Sequence, residues 1–160
     1  MTKLLLSVHV LAAILAIGPI TVAASMFPRY VKPPPEGATA IGTDERDPRT
    51  AAFLHRICRG YTVVGIAVPA FGLATGLQMG VLTDAWLLIS VVLTALAAAL
   101  LLMAILPGQE RLLGEPAEAG SGAATRSAAV RLAMVTGIFN LLWATVVVLM
   151  IVRPGSTTGV

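Results

Sequence analysis

Four long apolar stretches dominate the chain, and short polar segments separate them. The stretches cover residues 4–26, 57–82, 85–106 and about 132–152. A helix needs about 20 apolar residues to cross roughly 30 Å of hydrocarbon, and each stretch is that long. The pattern therefore predicts an all-α fold, a bundle of four transmembrane helices forming a single membrane domain over residues 1–160.

The composition leaves little room for anything outside the membrane. Of the 160 residues, 57% are hydrophobic and only 12% are charged, and the mean hydropathy is +0.88. Soluble domains carry about 25% charged residues, so we expect no separate soluble domain. Residues 1–26 also have the form of an export signal. Because the segment that follows them is basic, which disfavours export, we expect them to be retained as the first span.

The basic residues predict the orientation of the bundle. With four spans, both termini lie on one side and loops one and three lie on the other. The basic residues in or beside those two loops are Arg29, Lys32, Arg46, Arg49, Arg56, Arg59, Arg111, Arg126 and Arg131. Only Lys3 and Arg153 lie on the terminal side. The positive-inside rule therefore places loops one and three in the cytoplasm and both termini outside, in a bacterial inner membrane.

The net charge of +3 has the same topological origin. Membrane proteins carry Arg and Lys at their cytoplasmic rims, so we expect membrane lipids as neighbours and no nucleic-acid partner. Arg outnumbers Lys, and Ala, Gly and Val are abundant, which is typical of a high-GC bacterium such as an actinobacterium.

The connections between the spans differ in length. Only Thr83 and Asp84 join the second and third spans, which predicts an antiparallel hairpin of adjacent helices. Loop one contains a proline-rich run at 32–36 and a mixed-charge run at 42–49, and loop three is a flexible linker at 114–122. Neither long loop is expected to order alone.

Glycines recur along the second span. Gly72, Gly76 and Gly80 follow one another every fourth residue, and Gly65 lies seven residues before Gly72. Glycines at this spacing form a flat groove where another helix can approach closely. Pro69 lies on the same face and is expected to bend the helix. The groove is expected to serve either packing within the bundle or contact with another subunit.

The fourth span carries two candidate packing residues. Asn140 is expected to bond its amide to a neighbouring helix. Trp143 lies near the middle of the span, where its N–H needs an acceptor, so we expect it to face protein rather than lipid. With Phe139 one turn earlier, it could form an interface ridge or an ordinary aromatic pair.

His9 is the one readily charged residue well inside a span, which makes it a functional candidate. It lies on a face of small residues in the first span and is interpreted either as a hydrogen-bonded packing residue or as a contact for haem b or a quinone. His55 precedes the second span at the opposite membrane surface, so the two histidines should be about 20 Å or more apart. Two ligands of one haem iron must lie much closer than that. His55 is expected to reach anionic headgroups together with Arg56 and Arg59.

Other chemistry finds no support in the sequence. No carboxylate lies within a span, and no cluster of His and Cys has metal-ligand spacing. Cys58 is the sole cysteine, so an intrachain disulfide is excluded. We therefore expect a protein that is not an enzyme and holds no cofactor, with the His9 alternative left open.

The first span begins with His9-Val10-Leu11-Ala12-Ala13, continues through Ala16, Gly18 and Pro19, and exits at Phe27-Pro28-Arg29-Tyr30. This outline resembles a family of small bacterial four-helix integral membrane proteins of unknown function. The same outline resembles the copper-resistance D membrane family and the membrane-bound protoporphyrinogen oxidase family. In the latter, an early first-helix histidine is linked to haem, and His9 is the matching position.

Size, topology and composition also resemble the accessory subunits of actinobacterial respiratory supercomplexes. The sequence thus favours a non-catalytic accessory subunit that supports assembly or stability of a larger membrane complex, expected to be a respiratory one. The alternatives are a membrane redox protein that binds haem or a quinone through His9, and a free-standing oligomer without a cofactor. The partners would be other integral membrane subunits. On this hypothesis Gly76→Leu should release the protein from its complex, and His9→Ala should not.

Overall fold

Helices make up almost all of the described chain. The computed structural model describes residues 2–31, 47–114 and 122–155, and no strand occurs in these ranges. The elements are α1 (Thr2–Val31), α2 (Pro48–Gly65), α3 (Ala67–Met79), α4 (Ala85–Leu100), a π-helical turn (Leu101–Ile105), α5 (Leu106–Gly114) and α6 (Gly122–Val152).

These elements form four rods that are each long and apolar enough to cross a membrane. The first span is α1 and the fourth is α6. The second span consists of α2 and α3, and the third consists of α4, the π-helical turn and α5. The chain therefore has the fold of a multi-pass helical membrane protein, as the apolar pattern predicts. The assignment of loops one and three to the cytoplasm stays a prediction.

The second span begins earlier than its apolar stretch because Asp47 caps it. The Asp47 carboxylate accepts hydrogen bonds from the Arg49 backbone N–H, at 3.0 Å, and from the Thr50 hydroxyl. Pro48 occupies the first helical position, where a missing N–H costs nothing. Residues 48 and 49, which the mixed charge of loop one assigned to a connection, are thus helical. The runs at 32–36 and 42–46 and the linker at 115–121 lie outside the described residues.

The Asp47 cap is expected to make the first turn of α2 sensitive to acid. The hydrogen bond from Thr50 lowers the pKa of Asp47 below its ordinary value of 3.8. A lowered pKa means that the carboxylate stabilises the helix above pH 3.8 and loses that effect as the pH falls through the lowered value. Amide exchange at Thr50 and Ala51 should show lower protection at such pH. The Asp47→Ala variant should show the same low protection at neutral pH. Equal protection of the variant and the unsubstituted protein at neutral pH would contradict the cap.

The first span is the centre of the bundle. It packs against α2, α3 and α6, and α4 packs against α6. The second and third spans meet near their two ends, where α2 contacts α5 and α3 contacts α4. The largest fully buried side chains include Phe27 and Ile20 from the first span and Phe139 from the fourth. The order around the bundle is therefore second, first, fourth and third span.

The second and third spans both depart from regular α-helix in their middle part. The second span breaks at Ile66, and Pro69 follows, whose missing N–H leaves the Gly65 carbonyl without its helical donor. In the third span, the Leu106 backbone N–H donates to the Leu101 carbonyl five residues before it. Pro107 follows two residues after the end of this π-helical turn. Such turns are uncommon and occur often at functional sites.

The end of the bundle that holds the α3–α4 turn is fixed by an aromatic contact. The Trp86 indole N–H donates to the Asp84 carboxylate at 3.0 Å. The Arg153 guanidinium lies over the Trp86 ring, 5.6 Å from its centroid. A cation over an indole face is attracted by the ring quadrupole. The end of α6 is thereby joined to the hairpin of the second and third spans.

Candidate functional site

A buried polar cluster joins α2 to α5. The His55 ring Nδ1 donates to the Gln109 side-chain carbonyl at 2.9 Å, and the Gln109 amide donates to Cys58 Sγ at 3.6 Å. The Cys58 thiol in turn lies 3.9 Å from the Ile20 carbonyl on α1. His55, Gln109 and Cys58 are all buried, and Gln109 is 0% exposed. The cluster therefore fixes three helices to one another at one end of the bundle.

The expectation that His55 reaches lipid headgroups is wrong. Its ring points into the bundle and bonds to Gln109, while its Nε2 atom lies 3.6 Å from the exposed Glu110 carboxylate. Arg56 and Arg59, by contrast, are exposed. Sequence reasoning missed Gln109 altogether. The sequence offers little signal for it, because Gln109 follows Leu101 and Ile105 at intervals of four, and that spacing keeps one face only through the π-helical turn.

His9 packs against the second span through a glycine. Its ring Nδ1 donates to the Val68 backbone carbonyl at 2.9 Å. The ring lies beside Gly72, where an added Cβ would be only 2.9 Å from His9 Cε1. Gly72 is thus required for the close approach of α1 and α3. The hydrogen bond occupies Nδ1 and leaves Nε2 without a hydrogen-bond partner among the described residues.

The two histidines do not share a site. His9 bonds to Val68, and His55 lies thirteen residues before Val68 on the same span, roughly 20 Å along the helix axis. His55 already bonds to Gln109 at the far end of the bundle. The described residues therefore do not bring two histidine ligands to one haem. A cofactor contact through His9 alone stays a prediction.

The four glycines that the sequence assigns to a packing groove have different surroundings. Gly72 faces His9, and Gly76 faces Leu82 and Leu87, whose methyl carbons would lie 3.2 and 3.0 Å from an added Cβ. Gly80 ends α3 in the left-handed conformation at φ +69°, and an added Cβ at Gly65 would meet no atom within 4 Å. Gly76→Leu would therefore disturb the chain's own hairpin and cannot report on a partner. Contact of these glycines with another subunit stays a prediction.

Asn140 and Trp143 are half-buried, and both contact other residues of the chain's own bundle. The Asn140 amide donates to the Ser25 hydroxyl on α1 at 3.1 Å, as the sequence suggested. Trp143 meets Phe139 edge to face, with ring centroids 6.3 Å apart, and Phe139 is buried in the core. Among described residues, the buried Trp143 Nε1 and Asn140 Oδ1 have no hydrogen-bond partner. The aromatic pair is therefore an internal feature of the bundle.

A cavity of about 140 Å³ lies where the second and third spans separate. We call it the central cavity. It is lined by residues of all four spans: Ile17 and Ile20; Thr62, Gly65, Ile66 and Pro69; Thr94, Ala98, Leu101 and Leu102; Phe139 and Trp143. The break at Ile66 and the π-helical turn are both part of this lining. The two helix irregularities and the Trp143 N–H, which has no partner among the described residues, thus all line the central cavity.

A second concave surface, of about 390 Å³, lies on the outward face of α2. We call it the α2 groove. It is lined by Phe53, Arg56, Ile57, Gly60, Tyr61 and Val64. The opposite face of α2 carries the buried residues of the polar cluster. Phe53 is 61% exposed, and an added Cβ at Gly60 would meet no atom within 4 Å. The groove is therefore open to a neighbour outside the chain.

Four apolar spans, an outward groove and an internal cavity define this protein as a multi-pass helical membrane protein with two candidate binding surfaces. In comparisons with family models, curated proteins and solved structures, nothing matches the chain. The functional argument therefore depends on the two surfaces themselves.

Proposed function

We propose that this protein is an accessory subunit that binds another integral membrane protein through the α2 groove. The observation that carries the proposal is the composition of the groove. Two aromatic side chains, Phe53 and Tyr61, line the groove together with Gly60 and Arg56. Aromatic residues and arginine are the types that contribute most binding energy at protein interfaces.

The shape of the groove suits a helix. Gly60 provides a floor without a side chain, and small residues at such positions let two helix backbones approach closely. Ile57 and Val64, one turn before and one turn after Gly60, are apolar. An apolar transmembrane helix of a partner subunit would therefore cover the groove.

Arg56 indicates which polar group the partner should carry. Its guanidinium is the one charged group in the lining of the groove. A guanidinium offers five N–H donors and pairs best with a carboxylate or with the free carbonyls of a helix end. The expected partner helix carries such an acceptor at the level of Arg56. Size and composition favour a respiratory assembly as the partner. The role of this protein would then be to support the assembly or stability of that complex.

A matched pair of glycine substitutions tests this proposal. Gly60→Leu fills the groove, whereas Gly137→Leu adds the same side chain to an exposed site on α6 where a Cβ also meets no atom within 4 Å. Neither substitution should disturb the bundle. Tagged protein is purified from native membranes in mild detergent, and co-purifying subunits are quantified by mass spectrometry. We expect Gly60→Leu to lower the stoichiometric partner about tenfold and Gly137→Leu to leave it unchanged.

Other outcomes would contradict the proposal in distinct ways. Loss of the partner in Gly137→Leu alone would place the interface on α6. Native mass spectrometry could instead show that Gly60→Leu loses a bound anionic phospholipid and no protein subunit. That result would identify the groove as a lipid site. A protein that purifies without any integral membrane subunit would exclude the accessory role.

A further inference from the structure

The central cavity lies where two neighbouring spans lose contact with each other between their ends. The second and third spans touch near both ends, through the His55–Gln109 bond and at the α3–α4 turn. Between those points the second span breaks at Ile66 and the third contains its π-helical turn. Two helix irregularities are thus part of one opening.

The cavity opens sideways, towards the lipid. Ile66 and Leu102 line it from the second and third spans, and they are 67% and 54% exposed. Ile20 and Phe139 line its inner side and are buried. A ligand would therefore reach the cavity between these two spans from the membrane interior, without passing through water.

One buried hydrogen-bond donor among the described residues of the lining lacks an acceptor. Trp143 lines the cavity, and its buried Nε1 atom has no partner in the described part of the chain. Thr62, by comparison, already donates its hydroxyl proton to the Cys58 carbonyl at 2.7 Å. A buried donor left unpaired is unfavourable, so an acceptor oxygen in the cavity would be stabilised there.

We infer that the central cavity binds the ring of a lipid-soluble quinone, with one quinone carbonyl accepting the Trp143 N–H. The volume of about 140 Å³ suits the six-membered ring itself, since a protein cavity of about 150 Å³ binds benzene, and the methyl substituents of the ring would extend into the sideways opening. The lining is otherwise almost wholly apolar, as a ring with methyl substituents requires. This site is separate from the α2 groove and does not depend on the proposed partner.

Depth favours a quinone over a phospholipid as the source of the carbonyl. Trp143 lies nine residues before Val152, the end of α6. At about 1.5 Å per residue this is roughly 14 Å along the helix, close to the middle of a 30 Å hydrocarbon layer. Ester carbonyls of phospholipids lie at the headgroup level, whereas a quinone ring dissolves in the interior of the bilayer.

The test uses the full chain in nanodiscs and two probes of one shape. Duroquinone is a tetramethyl benzoquinone, and durene is the tetramethyl benzene without carbonyl groups. Equilibrium binding is measured by chromatography of extracted probe, with empty nanodiscs subtracted. We expect saturable binding of one duroquinone per chain. Trp143→Phe should weaken duroquinone binding about three- to tenfold and leave durene binding unchanged, because one neutral hydrogen bond contributes about that much.

Two glycine variants separate the cavity from the surface. Gly65→Leu should abolish binding of both probes, because Gly65 lines the cavity and has open space for the added side chain. Gly137→Leu should bind both like the natural protein, and circular dichroism of all variants checks that the helices are intact. Binding that survives Gly65→Leu, no saturable binding, or equal response of both probes to Trp143→Phe would overturn the inference. A stoichiometric phospholipid that duroquinone displaces would also overturn it.

Discussion

Replacing Gly72 by alanine is expected to lower the free energy of unfolding by about 1–3 kcal/mol, the usual cost of an overpacked core. The added Cβ would lie 2.9 Å from His9 Cε1, which is closer than carbon atoms approach. The ring must then move and lose its hydrogen bond to the Val68 carbonyl. Equilibrium unfolding in mixed micelles of SDS and a mild detergent, followed by circular dichroism, measures the loss.

A double-mutant cycle makes this expectation specific to His9. With His9→Ala already present, Gly72→Ala should cost nothing, since the atom it would strike is gone. Gly137→Ala is the matched control: its Cβ meets no atom, and alanine is favoured over glycine in a helix by about 0.5–1 kcal/mol. Equal costs for Gly72→Ala with and without His9 would refute the contact.

Replacing Gln109 by leucine should lower the unfolding free energy by about 1–3 kcal/mol, because it leaves a buried donor on His55 without its acceptor. Gln109 is fully buried and accepts from His55 at 2.9 Å. The same substitution also removes the donor to Cys58. The measurement is the same unfolding titration.

The cost should largely disappear when both partners become apolar. His55→Leu together with Gln109→Leu leaves no unpaired group between these two positions, and such paired replacements are often nearly neutral. Gln78→Leu, at an exposed position of α3, should have little effect. A double variant as unstable as the sum of its single variants would show that the His55–Gln109 bond does not couple the two helices.

The four spans were predictable because membrane crossing requires length and apolarity, and both can be counted along a sequence. The same counting misplaced the start of the second span. Its first turns contain Pro48, Arg49 and Arg56, which hydropathy assigns to loop one, while the Asp47 cap and the buried polar cluster make them helical. Local capping chemistry decided this boundary.

The candidate site was predictable only in its parts. His9 and Gly72 were each identified from the sequence. Their contact depends on how α1 and α3 are rotated relative to each other, and the residue pattern of one helix does not determine that rotation. The central cavity is a gap between helices, so it arises from the break at Ile66 and the π-helical turn together. The position of His55 was predicted wrongly because it was grouped with Arg56 and Arg59. Those two arginines are exposed, whereas His55 lies on the buried face of α2.

The π-helical turn also sets the angular phase of the third span. Four buried residues of the third span recur every four positions: Ala97, Leu101, Ile105 and Gln109. In a regular α-helix, with about 100° per residue, this spacing would drift by about 40° at each step and by about 120° from first to last. The wider turn absorbs that drift and keeps Gln109 on the face that looks towards His55. Regular α-helix over the same residues would instead turn the Gln109 amide about 120° away from the imidazole. Deleting one residue from 101–105 would leave eleven steps of about 100° between Ala97 and Gln109, so Gln109 would stay within about 20° of the same face without any π-helical turn.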